Sequence, residues 1–220
     1  MLATELISNS IPPLRTSDSA QKAMERMTEF KLSHLPIVNE SQFLGLLAED
    51  ELIEVRDLGV PIGSLSLSLL NPFVYEDAHI YDIIRLLTQL NLSAVPVLDY
   101  KKNYLGLITI NTLIASAASI FAVAAPGGII VLEISNRNNS LAHMAQIVEA
   151  DNAQILSSYV QSFPDSTKLE VTLKINKTEL SGIIASFERY NYQVKAVFNS
   201  TKADDGTEDR FNSFMNYLNV

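Results

Sequence analysis

The side chains that could act as acids, bases, nucleophiles or metal ligands are few and scattered in this chain of 220 residues. The three histidines, His34, His79 and His143, fall in different predicted elements, and none has a serine and a carboxylate at a spacing that suggests a triad. No cysteine is present, which excludes cysteine nucleophiles and thiolate zinc ligands. The Gly127-Gly128 pair follows a proline and does not open a helix after a strand, so it does not predict a phosphate loop. The sequence therefore predicts neither catalysis nor a metal site.

The charge balance limits the classes of partner. The chain has 25 acidic and 16 basic residues and a net charge of −9, which disfavours nucleic acid and anionic membranes as partners. The absence of cysteine fits a reducing compartment. The first ten residues, MLATELISNS, have neither the basic nor the apolar region of a signal peptide. We therefore expect a cytoplasmic protein.

One long segment has no charge at all, from the position after Lys102 to the position before Glu133. Its length alone could span a bilayer, which takes about 20 apolar residues. Polar residues interrupt it, however, and the Pro-Gly-Gly sequence at 126–128 breaks the chain. The pattern favours a strand at Tyr104–Ile108, a buried helix at Asn111–Ala124 and a second strand at Ile129–Ile134 over a membrane span.

The first 125 residues contain an internal repeat with an offset of about sixty positions. Residues 32–38, LSHLPIV, match residues 92–98, LSAVPVL, and residues 43–47, FLGLL, match residues 104–108, YLGLI. The apolar helix positions also correspond in spacing: Ala20, Ala23, Met24, Met27 and Phe30 in the first copy, and Ile80, Ile83, Ile84, Leu87 and Leu90 in the second. Each copy is predicted to form a strand, a helix, two strands and a closing helix, the first of these closing helices at Glu49–Asp57.

With these motifs, the chain resembles a tandem pair of CBS domains, the regulatory modules named after cystathionine beta-synthase. The resemblance is carried by Leu35-Pro36-Ile37-Val38 with Gly45-Leu46-Leu47, and by Val95-Pro96-Val97-Leu98-Asp99 with Gly106-Leu107-Ile108-Thr109. The alternative is two unrelated α/β segments that align by chance. The resemblance predicts repeats at residues 1–60 and 61–125 that are related by a pseudo-twofold axis, with two clefts between them.

Clefts of this family accept adenosine compounds such as AMP, ATP or S-adenosylmethionine, so the resemblance implies such a regulatory ligand and no required cofactor. In the family, a Thr/Ser-x-x-Asp sequence at the start of the closing helix offers a hydroxyl to phosphate and a carboxylate to ribose. The positions at which the resemblance predicts ligand contacts are Ser33, His34, Leu35 and Glu51 in the first repeat, and Ser93, Ala94, Val95, Thr109 and Thr112 in the second.

Both repeats depart from the family pattern at these positions. Ala48 replaces the hydroxyl residue in the first repeat, where Glu51 occupies the aspartate position. In the second repeat Thr109 keeps the hydroxyl, but Thr112 replaces the aspartate. A hydrogen bond to a charged group contributes about 1.5–3 kcal/mol, so its loss weakens binding. The acidic run at 49–51 would repel a polyphosphate, or it simply complements the helix dipole. His34 either contacts a base or is a strand histidine without a ligand.

Residues 128–199 predict a second, smaller domain with the order strand, helix, strand, strand, helix, strand, which is the ferredoxin-like arrangement. After a CBS pair this βαββαβ unit resembles an ACT domain, a sensor of small molecules such as amino acids. The candidate contacts there are Asn138, Asn139 and Ser140, although Asn138-Asn139 replaces the Pro-Gly common in the family. The alternative role is dimerisation. Residues 200–220 predict an acidic linker and a short amphipathic helix.

The predicted fold class is thus α/β and α+β: a pseudo-twofold CBS pair followed by a ferredoxin-like, ACT-like domain. The layout is similar to stand-alone CBS–ACT regulators of the acetoin-utilisation type. The sequence predicts a non-enzymatic sensor of an adenosine compound that forms a homodimer. The alternative is a ligand-independent dimerisation or interaction module whose clefts have degenerated.

Overall fold

A computed structural model describes residues 1–8, 10–135, 140–164 and 166–199, and the chain divides into two compact units, residues 1–117 and 118–220. Asn138, Asn139 and the linker and helix expected at 200–220 lie outside the described residues. Within the described residues, no helix has both the length and the apolar character needed to cross a bilayer. The uncharged segment instead forms a strand, a helix and a strand, as predicted.

The first unit contains the two predicted repeats. The first repeat consists of α1 (Ala20–Phe30), β1 (His34–Asn39), β2 (Gln42–Ala48) and α2 (Asp50–Ile53). The second consists of β3 (Val74–Tyr75), α3 (Ile80–Gln89), β4 (Ala94–Leu98), β5 (Tyr104–Thr109) and α4 (Ile110–Ile120). Short 3-10 helices lie at Ala3–Leu6 and Ile62–Ser64.

The two repeats share the details of their strand pairing. β1 pairs with β2 and β4 pairs with β5, both antiparallel, and each pair has its register shift at the same place, between Ile37 and Val38 and between Val97 and Leu98. The first strand of each repeat is short: β3 pairs in parallel with β4, and in the described part of the first repeat the equivalent pairing is the single bridge from Leu14 to Ile37. The repeat in the sequence is therefore a repeat in the backbone.

Each repeat is completed by a segment that lies outside it in the chain: the second repeat by residues from the start of the chain, and the first repeat by the residues that follow it. We call residues 1–8 the first strap and residues 58–70 the second strap. The first strap bonds to the second repeat, from Ala3 N to Ala78 O at 2.9 Å and from Ser8 N to Leu107 O at 2.8 Å. The second strap bonds to the first repeat, for example from Leu46 N to Leu70 O at 2.7 Å.

Two glycines allow the straps to approach the strands closely. Gly45 and Gly106 have φ angles of 154° and 159°, a region that L side chains rarely adopt. A Cβ on Gly45 would lie 2.7 Å from Leu69 Cβ, and one on Gly106 would lie 2.3 Å from Ile7 Cγ2. Each strap therefore packs where the β-strand has no side chain.

The hydrophobic core of the first unit joins the two repeats. Ala94 and Leu107 of the second repeat belong to the cluster built around the first repeat, and Leu46 of the first belongs to the cluster built around the second. All three side chains are fully buried. Because burial of apolar surface is the main force that favours folding, this exchange ties the stability of each repeat to the other.

The two closing helices differ from the predicted bounds. The helix predicted at Glu49–Asp57 spans only Asp50–Ile53, because the following chain turns to pair with α1: Gln21 N donates to Leu58 O at 2.8 Å. The helix predicted at Asn111–Ala124 begins at Ile110 and ends at Ile120. Ala122 then has a left-handed φ of 52°, which cannot continue a helix.

The second unit contains β6 (Gly128–Ser135), α5 (Leu141–Ala150), β7 (Ile155–Ser162), β8 (Lys168–Ile175), α6 (Ser181–Arg189) and β9 (Gln193–Phe198). The strands form one antiparallel sheet in the order β7-β8-β6-β9, which is the predicted ferredoxin-like arrangement. Its core places apolar side chains of both helices, such as Met144 and Phe187, against alternate residues of the strands, such as Ile130 and Leu173. The predicted fold class is confirmed.

Candidate functional site

The two repeats meet where β1 and β4 begin. His34 Nδ1 lies 3.1 Å from Ser33 Oγ, 3.2 Å from Ser93 Oγ and 3.3 Å from Ser93 N. Ser33 N also donates to Ser93 Oγ at 3.1 Å. A cavity of about 340 Å³ opens beside this contact and is lined in part by Lys31 and Glu49. Three residues predicted from the sequence as ligand contacts, Ser33, His34 and Ser93, are thus brought together, and they bond to one another.

The environment of His34 favours the neutral imidazole. Partial burial lowers the pKa of His34 below its ordinary value, and the carboxylate of Asp50 opposes this effect without overcoming it. The counterpart of His34 in the second repeat is Ala94, which is fully buried. The two clefts therefore differ at this position, as the sequence indicates.

In the first cleft the helix start is acidic. Ala48 pairs with His34 across β1 and β2 and offers no hydroxyl. A cavity of about 590 Å³ lies between α2 and the second strap. Its charged lining residues are Asp50, Glu51, Glu54, Asp57 and Arg56, and its apolar ones are Val55, Val60, Leu65 and Leu67. Four carboxylates against one guanidinium make this cavity unfavourable for a free phosphate.

Glu51 is already bonded within this cavity. Its Oε2 accepts a hydrogen bond from the backbone N–H of Ser68 in the second strap, at 3.0 Å. A ribose hydroxyl would have to compete for a carboxylate that is in use. The contact with Ser68 could not be found from the sequence, because the strap has no motif and lies seventeen residues away.

At the corresponding position of the second repeat, the start of α4 is polar and uncharged. Thr109 pairs with Ala94 across β4 and β5, and only 5% of its surface is exposed. Its hydroxyl accepts from Thr112 N at 3.2 Å and lies 3.0 Å from Thr112 Oγ1, so it caps the first turn of α4. No acidic residue occupies that turn. The positive end of the α4 dipole is therefore not neutralised by its own side chains.

The remaining predicted contacts of the first unit lie in the core. Leu35, Ala94 and Val95 are fully buried and pack in the two hydrophobic clusters. Their side chains support the strands that carry His34, Ser93 and Thr109. Leu35, Ala94 and Val95 could therefore contact a ligand only through their backbone atoms.

The profile of the CBS domain family matches residues 3–57 and 69–119, which contain the two repeats; most of the second strap lies between the two matched segments. These two segments are a tandem pair of CBS domains. The internal repeat, the shared strand register and the exchanged straps are the geometry of this CBS pair. The tandem arrangement expected from the sequence is confirmed.

Solved structures similar to this chain include a CBS domain pair/ACT domain protein from Thermotoga maritima, with 18% identity and a TM-score of 0.48 over 53% of this chain and 96% of the other. CBSX2, solved in complex with AMP, has 20% identity and a TM-score of 0.46 over 54% of this chain and 97% of the other. The cytosolic domain of the Mg²⁺ channel MgtE, solved in complex with ATP, has 16% identity and a TM-score of 0.44 over 52% of this chain and 48% of the other.

Among the described residues, the CBS pair and the second unit contain no cluster of three or more His, Asp or Glu side chains placed to hold a metal ion. In the second unit, Ser140 caps α5 by accepting from His143 N at 3.2 Å. His143 Nδ1 in turn lies 2.9 Å from the hydroxyl of Tyr192. Sequence reasoning missed this pair, because its members are 49 positions apart and belong to no motif.

Proposed function

We propose that the CBS pair is a non-enzymatic regulatory module that binds an adenosine nucleotide, with the phosphate at the start of α4. The carrying observation is the character of that helix start: Thr109 places a hydroxyl at the N-terminus of α4, and no carboxylate lies in the first turn. Helix N-termini attract phosphate through their free N–H groups and their dipole. CBSX2 and the cytosolic domain of MgtE were solved in complex with AMP and ATP, which agrees with this proposal but does not carry it.

The charge of the first cleft argues that the two clefts are not equivalent in this function. A nucleotide phosphate at α2 would face Asp50, Glu51 and Glu54 with only Arg56 to balance them. We therefore propose that AMP binds in the second cleft and that ATP is disfavoured in the first cleft unless Mg²⁺ accompanies it. S-adenosylmethionine, which carries a positive sulfonium, tests whether the acidic cavity instead accepts a cationic adenosine compound.

Thermal unfolding of the full chain with AMP, ATP, ATP with Mg²⁺ and S-adenosylmethionine tests the proposal. A ligand at 100 times its dissociation constant stabilises the folded state by about 2.7 kcal/mol. We expect AMP to raise the melting temperature, Thr109→Ala to reduce that rise, and Thr109→Ser to keep it. The shift is compared with and without ligand in each variant, because Thr109 also caps α4.

The matched control is Thr88→Ala, which removes a hydroxyl that bonds within α3 to the carbonyl of Ile84. This variant should leave the shift unchanged. An AMP shift that survives Thr109→Ala but disappears in Glu51→Gln would place the nucleotide in the first cleft and contradict the assignment. No shift with any of the four ligands at millimolar concentration would refute the sensor function for these compounds.

A second candidate function is a ligand-independent interaction module. The observation that favours it is that both helix-start groups are already satisfied internally, Glu51 by Ser68 and Thr109 by Thr112. A flat response to every nucleotide would support this candidate. It also predicts that Thr109→Ala changes stability and nothing else.

We further propose that the chain forms a homodimer and that it is cytoplasmic. We also propose that the second unit acts as an ACT-like domain, as in regulators of the acetoin-utilisation type. Support for the dimer comes from α4, where Ile110 and Ile114 are 43% and 62% exposed. Exposed apolar side chains on one helix favour association. Ser140 and its neighbours Asn138 and Asn139 are the candidate contacts for a ligand of the second unit.

A further inference from the structure

The contact between His34 and Ser93 concentrates several polar groups on one atom of the imidazole ring. Three groups surround a single imidazole nitrogen, Nδ1: the hydroxyl of Ser33, the hydroxyl of Ser93 and the backbone N–H of Ser93. A backbone N–H can only donate, so Nδ1 must be the acceptor and the ring proton must sit on Nε2. The imidazole is therefore held as one neutral tautomer.

This contact joins the two repeats and occurs once in the pair. His34 belongs to β1 and Ser93 precedes β4, and Ser33 N closes the arrangement by donating to Ser93 Oγ. The pseudo-twofold relation would place an equivalent ring at Ala94, which has none. The link between the starts of the two strands thus contains a single titratable side chain, His34, beside the direct bond from Ser33 N to Ser93 Oγ.

The charged groups around His34 come from the first repeat. Asp50 of α2 acts on the ring through its charge. Glu49 precedes α2 and Lys31 follows α1, and both line the cavity that Ser33 and Ser93 also line. On the side of the second repeat, the first turn of α4 carries no acidic residue. The carboxylate of Asp50 favours a protonated ring, whereas partial burial disfavours it more strongly.

We propose that His34 positions the second repeat against the first in a proton-dependent way. Protonation places a hydrogen on Nδ1 and turns the acceptor into a donor. The two serine hydroxyls can rotate and accept from it, but Ser93 N–H loses its partner and faces another N–H. Because the pKa of His34 is lowered in the folded state, the contact is complete above pH about 6.5 and is lost as the pH falls through the folded-state pKa.

The test is an NMR titration of the full chain, uniformly labelled with ¹⁵N, from pH 8 to pH 5. The imidazole nitrogen shifts report which nitrogen carries the proton, and the Ser93 amide shift reports its hydrogen bond. We expect His34 at pH 8 to be protonated on Nε2 alone, and the Ser93 amide to titrate with the midpoint of His34, below 6.5. A proton on Nδ1 at pH 8, or a Ser93 amide that ignores the His34 midpoint, would overturn the proposal.

Two variants separate positioning from simple packing. His34→Asn keeps an acceptor near the position of Nδ1 but cannot titrate in this range, whereas His34→Ala removes the acceptor. Hydrogen exchange, corrected for its intrinsic pH dependence, gives the opening equilibrium of the Ser93 amide. In the wild type we expect this equilibrium constant to rise about 2- to 12-fold as the pH falls from 7.5 to 5, which corresponds to the free energy that one hydrogen bond contributes. His34→Asn should abolish this pH dependence and remain protected, and His34→Ala should be open at both pH values.

The matched control is His79→Asn, at the exposed N-cap of α3, where Nδ1 accepts from Tyr81 N within the same repeat. This variant should keep the wild-type profile at Ser93. If His34→Asn also keeps that profile, the pH dependence comes from another group and the assignment to His34 is wrong.

Discussion

In the first repeat, the helix that follows the strand pair begins with carboxylates, whereas in the second repeat it begins with threonine hydroxyls and an amide. The backbone before each helix is the same, with equivalent strand register and an equivalent glycine under each strap. α2 has four residues and α4 has eleven. The two repeats therefore share a backbone but differ in the chemistry of their helix starts, so a ligand would distinguish one cleft from the other.

The largest effect is expected at the glycine that lies under the strap in each repeat. Gly45→Ala and Gly106→Ala should each lower the free energy of unfolding of the CBS pair by about 2–5 kcal/mol, through backbone strain and overpacking. Urea unfolding followed by far-UV circular dichroism measures the loss. The neighbours differ, however: Gly106 faces a γ-methyl of Ile7, whereas Gly45 faces the Cβ of Leu69.

A second substitution sharpens this difference between the straps. Ile7→Ala removes the clashing methyl and leaves the nearest strap atom, Ile7 Cβ, at 3.5 Å, so it should restore part of the stability lost in Gly106→Ala. Leu69→Ala keeps the Cβ at 2.7 Å and should not rescue Gly45→Ala. Equal rescue in both repeats would show that the strap contacts are not as described.

A smaller effect, of opposite sign, is expected where Tyr104 of the second repeat replaces Phe43 of the first. The hydroxyl of Tyr104 is buried without a hydrogen-bond partner among the described residues, and burial raises the pKa of Tyr104. Tyr104→Phe should therefore raise the free energy of unfolding by about 1–3 kcal/mol. Tyr100→Phe, at an exposed ring that bonds to Asp77, is the control and should not be stabilising. A loss of stability in Tyr104→Phe would mean that the hydroxyl is satisfied by a buried water.

The smallest expected effect concerns the two helix starts. Thr109→Ala should lower the free energy of unfolding by about 0.5–2 kcal/mol because α4 loses its cap, and Thr109→Ser should not. The reciprocal change, Ala48→Thr, should alter stability by less than about 0.5 kcal/mol, since α2 has only four residues and a cap there would stabilise little helix. Urea unfolding of the three variants measures these changes. A gain in stability from Ala48→Thr as large as the loss from Thr109→Ala would contradict the difference between the two helix starts.

The secondary-structure elements of both units could be predicted from the sequence, but the contacts between residues of distant elements could not. The matching segments Leu35-Pro36 and Val95-Pro96, with the Gly-Leu of each repeat, predicted both repeats, and alternation and helical spacing predicted the six elements of the second unit. The carboxylates at 49–51 could also be read directly. The bond from Ser68 to Glu51 and the bonds from Ser93 to His34 could not be predicted, because they join residues far apart in the chain whose approach is set by packing of the straps and strands. The early end of α2 has the same origin, since it follows from pairing with α1.

The straps also determine the order in which the pair can be finished during synthesis. Ser8 bonds to Leu107, which is synthesised much later. At a translation rate of about 5–20 residues per second, the first strap therefore remains without its partner strand for roughly 5–20 s after it is made. The first repeat receives its strap much sooner, because residues 58–70 follow it directly. A ribosome-bound chain therefore completes the first repeat before the second, and a fragment cut after residue 57 keeps the strap of the repeat it has lost. The smallest piece of this chain that contains each repeat with its own strap is the whole CBS pair.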